Sequence, residues 1–132
     1  MLEQINLTND YRYTENLTVT KTVSGFSLTG GTYHDGSLEK PYLIDPAEFT
    51  INAEETRKVA YILHLVYDTE NDKVDYLLYK STVDQDGYYP SYEESEKYRL
   101  LYKIIDVVVN PTGEINGAIY SFTKEQEAEN ET

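Results

Sequence analysis

Along residues 59–67 the side chains alternate with period two, yet both halves of the alternation are apolar. Val59, Tyr61, Leu63, Leu65 and Tyr67 share one face, and Ala60, Ile62, His64 and Val66 share the other. That pattern predicts a central strand covered on both sides. The polar run 68–72 then predicts a turn, and residues 74–79 the returning partner strand. Residues 17–24 alternate in the half-buried manner, with Leu17, Val19 and Val23 pointing one way and three threonines the other. Gly30-Gly31 marks a bend, a bulge or a close backbone approach, and Asp35-Gly36 a tight turn. Pro41 and Pro46 bracket a short edge segment, residues 49–51 resume a strand, and residues 53–58 read as one helical turn. Residues 100–109 suit helix or strand by apolar count, and the run Val107-Val108-Val109 favours strand. Asn110-Pro111-Thr112-Gly113 reads as a type I turn closed by a glycine, with residues 115–122 as the last strand.

The ends and one internal stretch lack such periodicity. Residues 1–16 are polar, with Leu2, Ile5 and Leu7 as aliphatics and Tyr11 and Tyr13 beyond them, and read as an arm or weak edge strand. Residues 124–132 hold no core-forming side chain and read as a disordered acidic tail. Residues 82–97 form the longest irregular stretch, with Ser91-x-x-Glu94 as a candidate start for a short helix. The whole predicts an all-β, single-domain antiparallel β-sandwich or barrel of about seven to eight strands. Its β domain spans residues 17–123, flanked by a flexible N-terminal arm and the tail.

Composition narrows the classes of partner. The 132 residues carry 11 basic and 24 acidic side chains, a net charge of −13. Such a surface repels phosphate backbones and anionic lipid, so neither nucleic-acid binding nor membrane insertion is expected. No apolar stretch reaches the roughly 18 residues of a membrane helix, and the N-terminus lacks a signal-peptide pattern. There is no cysteine, hence no disulfide or thiolate site. Fourteen tyrosines against three phenylalanines and no tryptophan suit half-exposed sheets and interfaces.

Candidate chemistry is sparse. His34 beside Asp35 is the one pairing that suggests base catalysis, and no nucleophile-elbow motif accompanies it. Asp84-x-Asp86-Gly87 and the acidic turn 68–72 offer hard oxygen ligands without a complete calcium loop. No catalytic residue, metal or cofactor is therefore expected. Tyr88, Tyr89 and Tyr92, beside Asp84 and Asp86, form an aromatic loop suited to stacking on a sugar or to a protein interface.

The order Gly30-Gly31-Thr32-Tyr33, Asp35-Gly36, the polar residues 53–56, the Tyr-rich strand through Asp68-Thr69, and the closing hairpin at Gly113 resembles the small β modules of bacteriophage baseplate, tail-fibre and head-appendage proteins. The resemblance covers about residues 25–122. It implies a non-catalytic virion component, often trimeric, made in the host cytoplasm and held to other virion proteins or to copies of itself. The length, without a coiled-coil shaft, suits an accessory protein better than a whole fibre. Leu2, Ile5, Leu7, Tyr11 and Tyr13 are the expected assembly residues. The alternative is a carbohydrate-binding module that recognises a host-surface glycan through Tyr88, Tyr89, Tyr92, Asp84 and Asp86.

Overall fold

Two long strands and a bulged third form the frame on which the rest is built. The computed structural model describes residues 2–8, 11–38, 40–53, 57–83 and 96–124. In chain order the strands are β1 (Leu2–Asn6), β2 (Arg12–Glu15), β3 (Val19–Lys21), β4 (Gly25–Leu28), β5 (Gly31–Asp35), β6 (Tyr42–Ile44), β7 (Ala47–Thr50), β8 (Lys58–Asp68), β9 (Lys73–Val83), β10 (Tyr98–Val109) and β11 (Ile115–Ser121). They form a five-stranded sheet, β1-β11-β10-β8-β9, and two three-stranded sheets, β2-β5-β6 and β3-β4-β7.

β8 is the central strand that its doubly apolar pattern predicts. It pairs with β9 from Lys58↔Val83 to Asp68↔Lys73, and with β10 on its other side. Val59, Tyr61, Leu63 and Leu65 enter the main core, and Ala60, Ile62, His64 and Val66 are buried on the opposite face. Each fully buried aliphatic side chain contributes about 1.5–3 kcal/mol. β10 shows why its sequence also suited a helix. Its register shifts between Leu100 and Tyr102 and again between Lys103 and Ile105. These irregularities let the consecutive pairs Leu101-Tyr102 and Ile104-Ile105 all join the same core, which strict alternation of faces forbids.

The all-β class holds, and four expectations about its assembly are corrected. There are eleven strands among the described residues, not seven to eight, because several elements are only three to five residues long. Such strands are too short to show a period. Pairing is not purely antiparallel: β1 pairs in parallel with β11, from Leu2↔Gly117 to Asn6↔Ser121, and Thr14 forms an isolated parallel bridge with Thr123. The first sixteen residues are thus not a free arm. They supply β1, the edge strand of the large sheet, and β2, which pairs with β5. Val23 does not share a face with Leu17 and Val19; β3 ends at Lys21, and Val23 is fully exposed while Leu17 is buried. Residues 54–56, within the expected helical turn, and residues 84–95, with the expected helix start, lie outside the described residues, as do tail residues 125–132.

The smaller sheets close over the large one to make a barrel-like sandwich. After β11 the chain lies along β2: Thr14 N donates to Phe122 O (2.8 Å) and Lys124 N to Thr14 O (2.7 Å). Lys124, the first residue of the expected tail, is therefore bound to β2. Gly30-Gly31 is where backbones come close. Gly30 has φ +80°, and a Cβ on Gly31 would stand 2.2 Å from Glu15 O.

On the far side, Asp72 clamps β6 to the β8–β9 turn. Its Oδ1 accepts from Tyr42 Oη (2.6 Å) and Tyr67 Oη (2.7 Å), and Lys40 Nζ lies 3.0 Å from Oδ2. The Tyr42 bond, then the Tyr67 bond, then Lys40 lower its pKa from 3.8 to about 2. Because the folded-state value is the lower one, the stabilisation is present above the ordinary value and is lost as pH falls from 3.8 towards 2. Denaturant titrations across that range should show Asp72→Asn less stable than the parent near neutrality, with the gap closing in acid. A gap that stays constant down to pH 2 would refute the clamp.

Candidate docking surface

The five residues expected to mediate assembly lie along the seam where the chain enters the fold, but they do not form one patch. Leu2 packs against the core, and Ile5 is half-buried, in register with Tyr120. Leu7, just past β1, is 49% exposed while its backbone N–H donates to Ser121 O (2.8 Å). Tyr11 is 57% exposed, with its ring edge against Gly36. Among the described residues no strand pairs with the outer edge of β1. Unpaired N–H and C=O groups along a strand edge are a template for another chain.

Tyr13 joins a second group across β2 and β5. Its register partner is His34, and the two rings stack at 4.6 Å and 11°. His34 Nε2 donates to Glu15 Oε1 (2.6 Å), and Lys124 Nζ sits 5.0 Å from the Tyr13 ring centroid. Tyr11, Tyr13, His34, Leu38, Lys40 and Pro41 line an open groove of about 310 Å³. Of these, Tyr11 and Tyr13 were expected from the sequence as assembly residues; nothing comparable marked Lys40 or Lys124.

The suspected His34–Asp35 pair does not form, because adjacent strand residues point to opposite faces. Asp35 faces inward. It accepts from Tyr33 Oη (2.6 Å), Ser37 N (2.8 Å) and Ser37 Oγ (2.7 Å), with Arg12 Nε at 3.5 Å. Burial alone would raise its pKa; these bonds and the Arg12 charge outweigh that and hold it below the ordinary value. Arg12 also donates through Nε to Tyr33 Oη (3.1 Å) and through Nη2 to Leu101 O (2.8 Å), so it ties the small sheet to the irregular stretch of β10. Its guanidinium lies 4.9 Å from the Tyr102 ring centroid. Among the described residues no three His, Asp or Glu side chains gather as a metal site. Tyr88, Tyr89, Tyr92, Asp84 and Asp86, the expected glycan loop, lie outside the described residues.

Three comparisons place this arrangement. A family model described as Gp22 matches residues 3–130. The crystal structure of the gene 22 product of the Bacillus subtilis SPP1 phage is similar to the chain with a TM-score of 0.81 and 26% identity, covering 96% of this chain and 100% of that one. No curated protein matches.

The network around Arg12 generates a contrast in stability. Tyr102 Oη is buried with no hydrogen-bond partner among the described residues, whereas Arg12 makes several hydrogen bonds. Arg12→Ala should cost about 2–4 kcal/mol in denaturant unfolding, since it strips partners from Asp35, Tyr33 and Leu101. Tyr102→Phe should be neutral or stabilise by up to about 1 kcal/mol. A larger loss from Tyr102→Phe than from Arg12→Ala would refute this description.

Proposed function

The chain belongs to the Gp22 family and is a phage protein, and from that premise we propose that it is a non-catalytic structural and assembly subunit of the virion. It docks through its N-terminal seam onto other virion proteins or onto copies of itself. One observation carries the reading: among the described residues β1 offers an unpaired strand edge, and the chain just beyond it exposes two large side chains, Leu7 and Tyr11. An unpaired edge beside apolar side chains is a surface that gains from being covered. The groove lined by Tyr11, Tyr13 and His34 adds aromatic contact area beside Tyr11.

The experiment is to purify particles of the phage that encodes the chain and quantify the protein by mass spectrometry. A fixed number of copies per particle is expected; absence from purified particles would end the reading. In the double variant Leu7→Ser/Tyr11→Ser, both changes are at exposed positions, so unfolding stability should move by less than about 1 kcal/mol. Its copy number per particle should fall about tenfold, as when interface anchors are removed. Normal incorporation of that variant would exclude the seam as the docking surface.

A further inference from the structure

Beneath β1 and β11, against the end of β2 and the start of β3, lies a pocket of about 210 Å³ that the docking reading does not use. Its floor is made by Leu17, Ile104 and Ile119, with the rings of Tyr102 and Phe122 stacked at 3.5 Å. At its rim stand two amides, Gln4 and Asn6, and the hydroxyls of Thr18 and Ser121. The deeper hydroxyls of Thr14 and Thr123 lie 3.1 Å apart and bond to each other. None of the thirteen lining residues is charged. In a chain with 27% charged residues, thirteen positions drawn at random would hold about three.

We propose that this pocket binds a single neutral sugar ring of hexose size. The lining decides the chemistry. A carboxylate, phosphate or ammonium would lose its hydration there without meeting a counter-charge. A purely apolar ligand would cover the amides and hydroxyls of the rim without pairing them. A pyranose presents carbon-bound hydrogens on its faces and hydroxyls at its edge, which matches an apolar, aromatic floor below a polar rim. Gln4 offers a donor and an acceptor side by side, the arrangement that two neighbouring hydroxyls answer, and Asn6, whose Oδ1 accepts from Thr8 Oγ1 (2.9 Å), adds N–H donors. The volume falls below the roughly 300–1,000 Å³ of pockets for drug-sized ligands and suits one small ring. β1 supplies Gln4 and Asn6, so the parallel pairing of β1 with β11 builds the rim.

The ligand has two sources, a free monosaccharide or the terminal unit of a glycan. The test is saturation-transfer NMR on the full chain with glucose, galactose, N-acetylglucosamine, glucuronate and neutral oligosaccharides ending in the same units. At least one neutral sugar is expected to take up saturation at concentrations of about 20 mM, and glucuronate is not. Thr18→Phe, which fills the mouth, should weaken binding at least about tenfold. Gln4→Ala, at an exposed strand position, should weaken it about threefold or more and decides the matter if the first variant fails to fold. Tighter binding of an oligosaccharide than of its terminal sugar assigns the glycan as source; equal binding assigns the free sugar. The proposal is overturned if no neutral sugar binds, if glucuronate binds as well as glucose, or if both folded variants bind like the parent.

Discussion

Burial of β8 on both faces constrains everything else in this molecule, because it removes the usual means of fixing strand register. In a one-sided sheet a slip by one residue turns the apolar face to water, and that penalty locks the pairing. Here the slip would exchange Val59, Tyr61, Leu63 and Leu65 for Ala60, Ile62, His64 and Val66, an apolar set for another set dominated by apolar residues. Register must therefore be imposed from outside the strand. The turn at its end does so. Buried Asp68 accepts from Glu70 N (3.0 Å), Asn71 N (3.1 Å) and Asn71 Nδ2 (2.9 Å), so residues 68–71 form a fixed polar hook. Asp72 follows with φ 52°, a conformation Asp tolerates, and anchors the hook to Tyr42 and Tyr67. On the other side the shifted register of β10 fixes the pairing, since a slipped β8 would no longer meet its irregularities in place.

With β8 fixed, the remaining strands can be very short. A three-residue strand such as β3 or β6 has too few ladder bonds to persist alone and depends on what it packs against. β6 is held through Tyr42, and Tyr76 Oη donates to Asp45 O (3.2 Å) just beyond it. β7 leads through Ile51 to Asn52, whose N–H donates to Tyr61 Oη (3.0 Å). Tyrosine serves this role where phenylalanine would not, because the ring fills the core while the hydroxyl reaches a neighbouring element.

This division of labour also explains what was legible in the sequence. β8, β9, the Asn110–Gly113 turn and β11 were readable because long apolar alternation and turn dipeptides are local signals. The short strands were not, since their stability resides in tertiary contacts. β1 was read as an arm or a weak edge strand, and it is an edge strand; the choice was left open because it is mostly polar, with only Leu2 packed on the core and Ile5 half-buried, and parallel pairing with a strand more than 100 residues away leaves no local trace. The irregular stretch of β10 blurred its own period. The candidate surface was legible in part, through Tyr11 and Tyr13. Its other members, His34 and Lys124, come from β5 and from the end of the described chain, so only the fold unites them.

The charge pattern bears on where a partner can approach. Eight of the eleven basic residues lie over an aromatic ring: Arg12, Lys21, Lys40, Lys80, Lys97, Arg99, Lys103 and Lys124. Seven of those rings are tyrosines. Each contact contributes about 0.5–1 kcal/mol at an exposed site. The larger effect is one of net charge: with eight basic groups held close to aromatic rings, the chain still carries an acidic surplus of thirteen. Two such surfaces repel each other over about 8 Å at physiological salt. A neighbour comes in most readily over aromatic or uncharged surface, which is at the exposed Leu7 and Tyr11, along the Tyr13–His34 groove, or over the pocket with no charged lining residue. Acidity here selects the approach by exclusion, and aromatic and neutral surface fills the places left open.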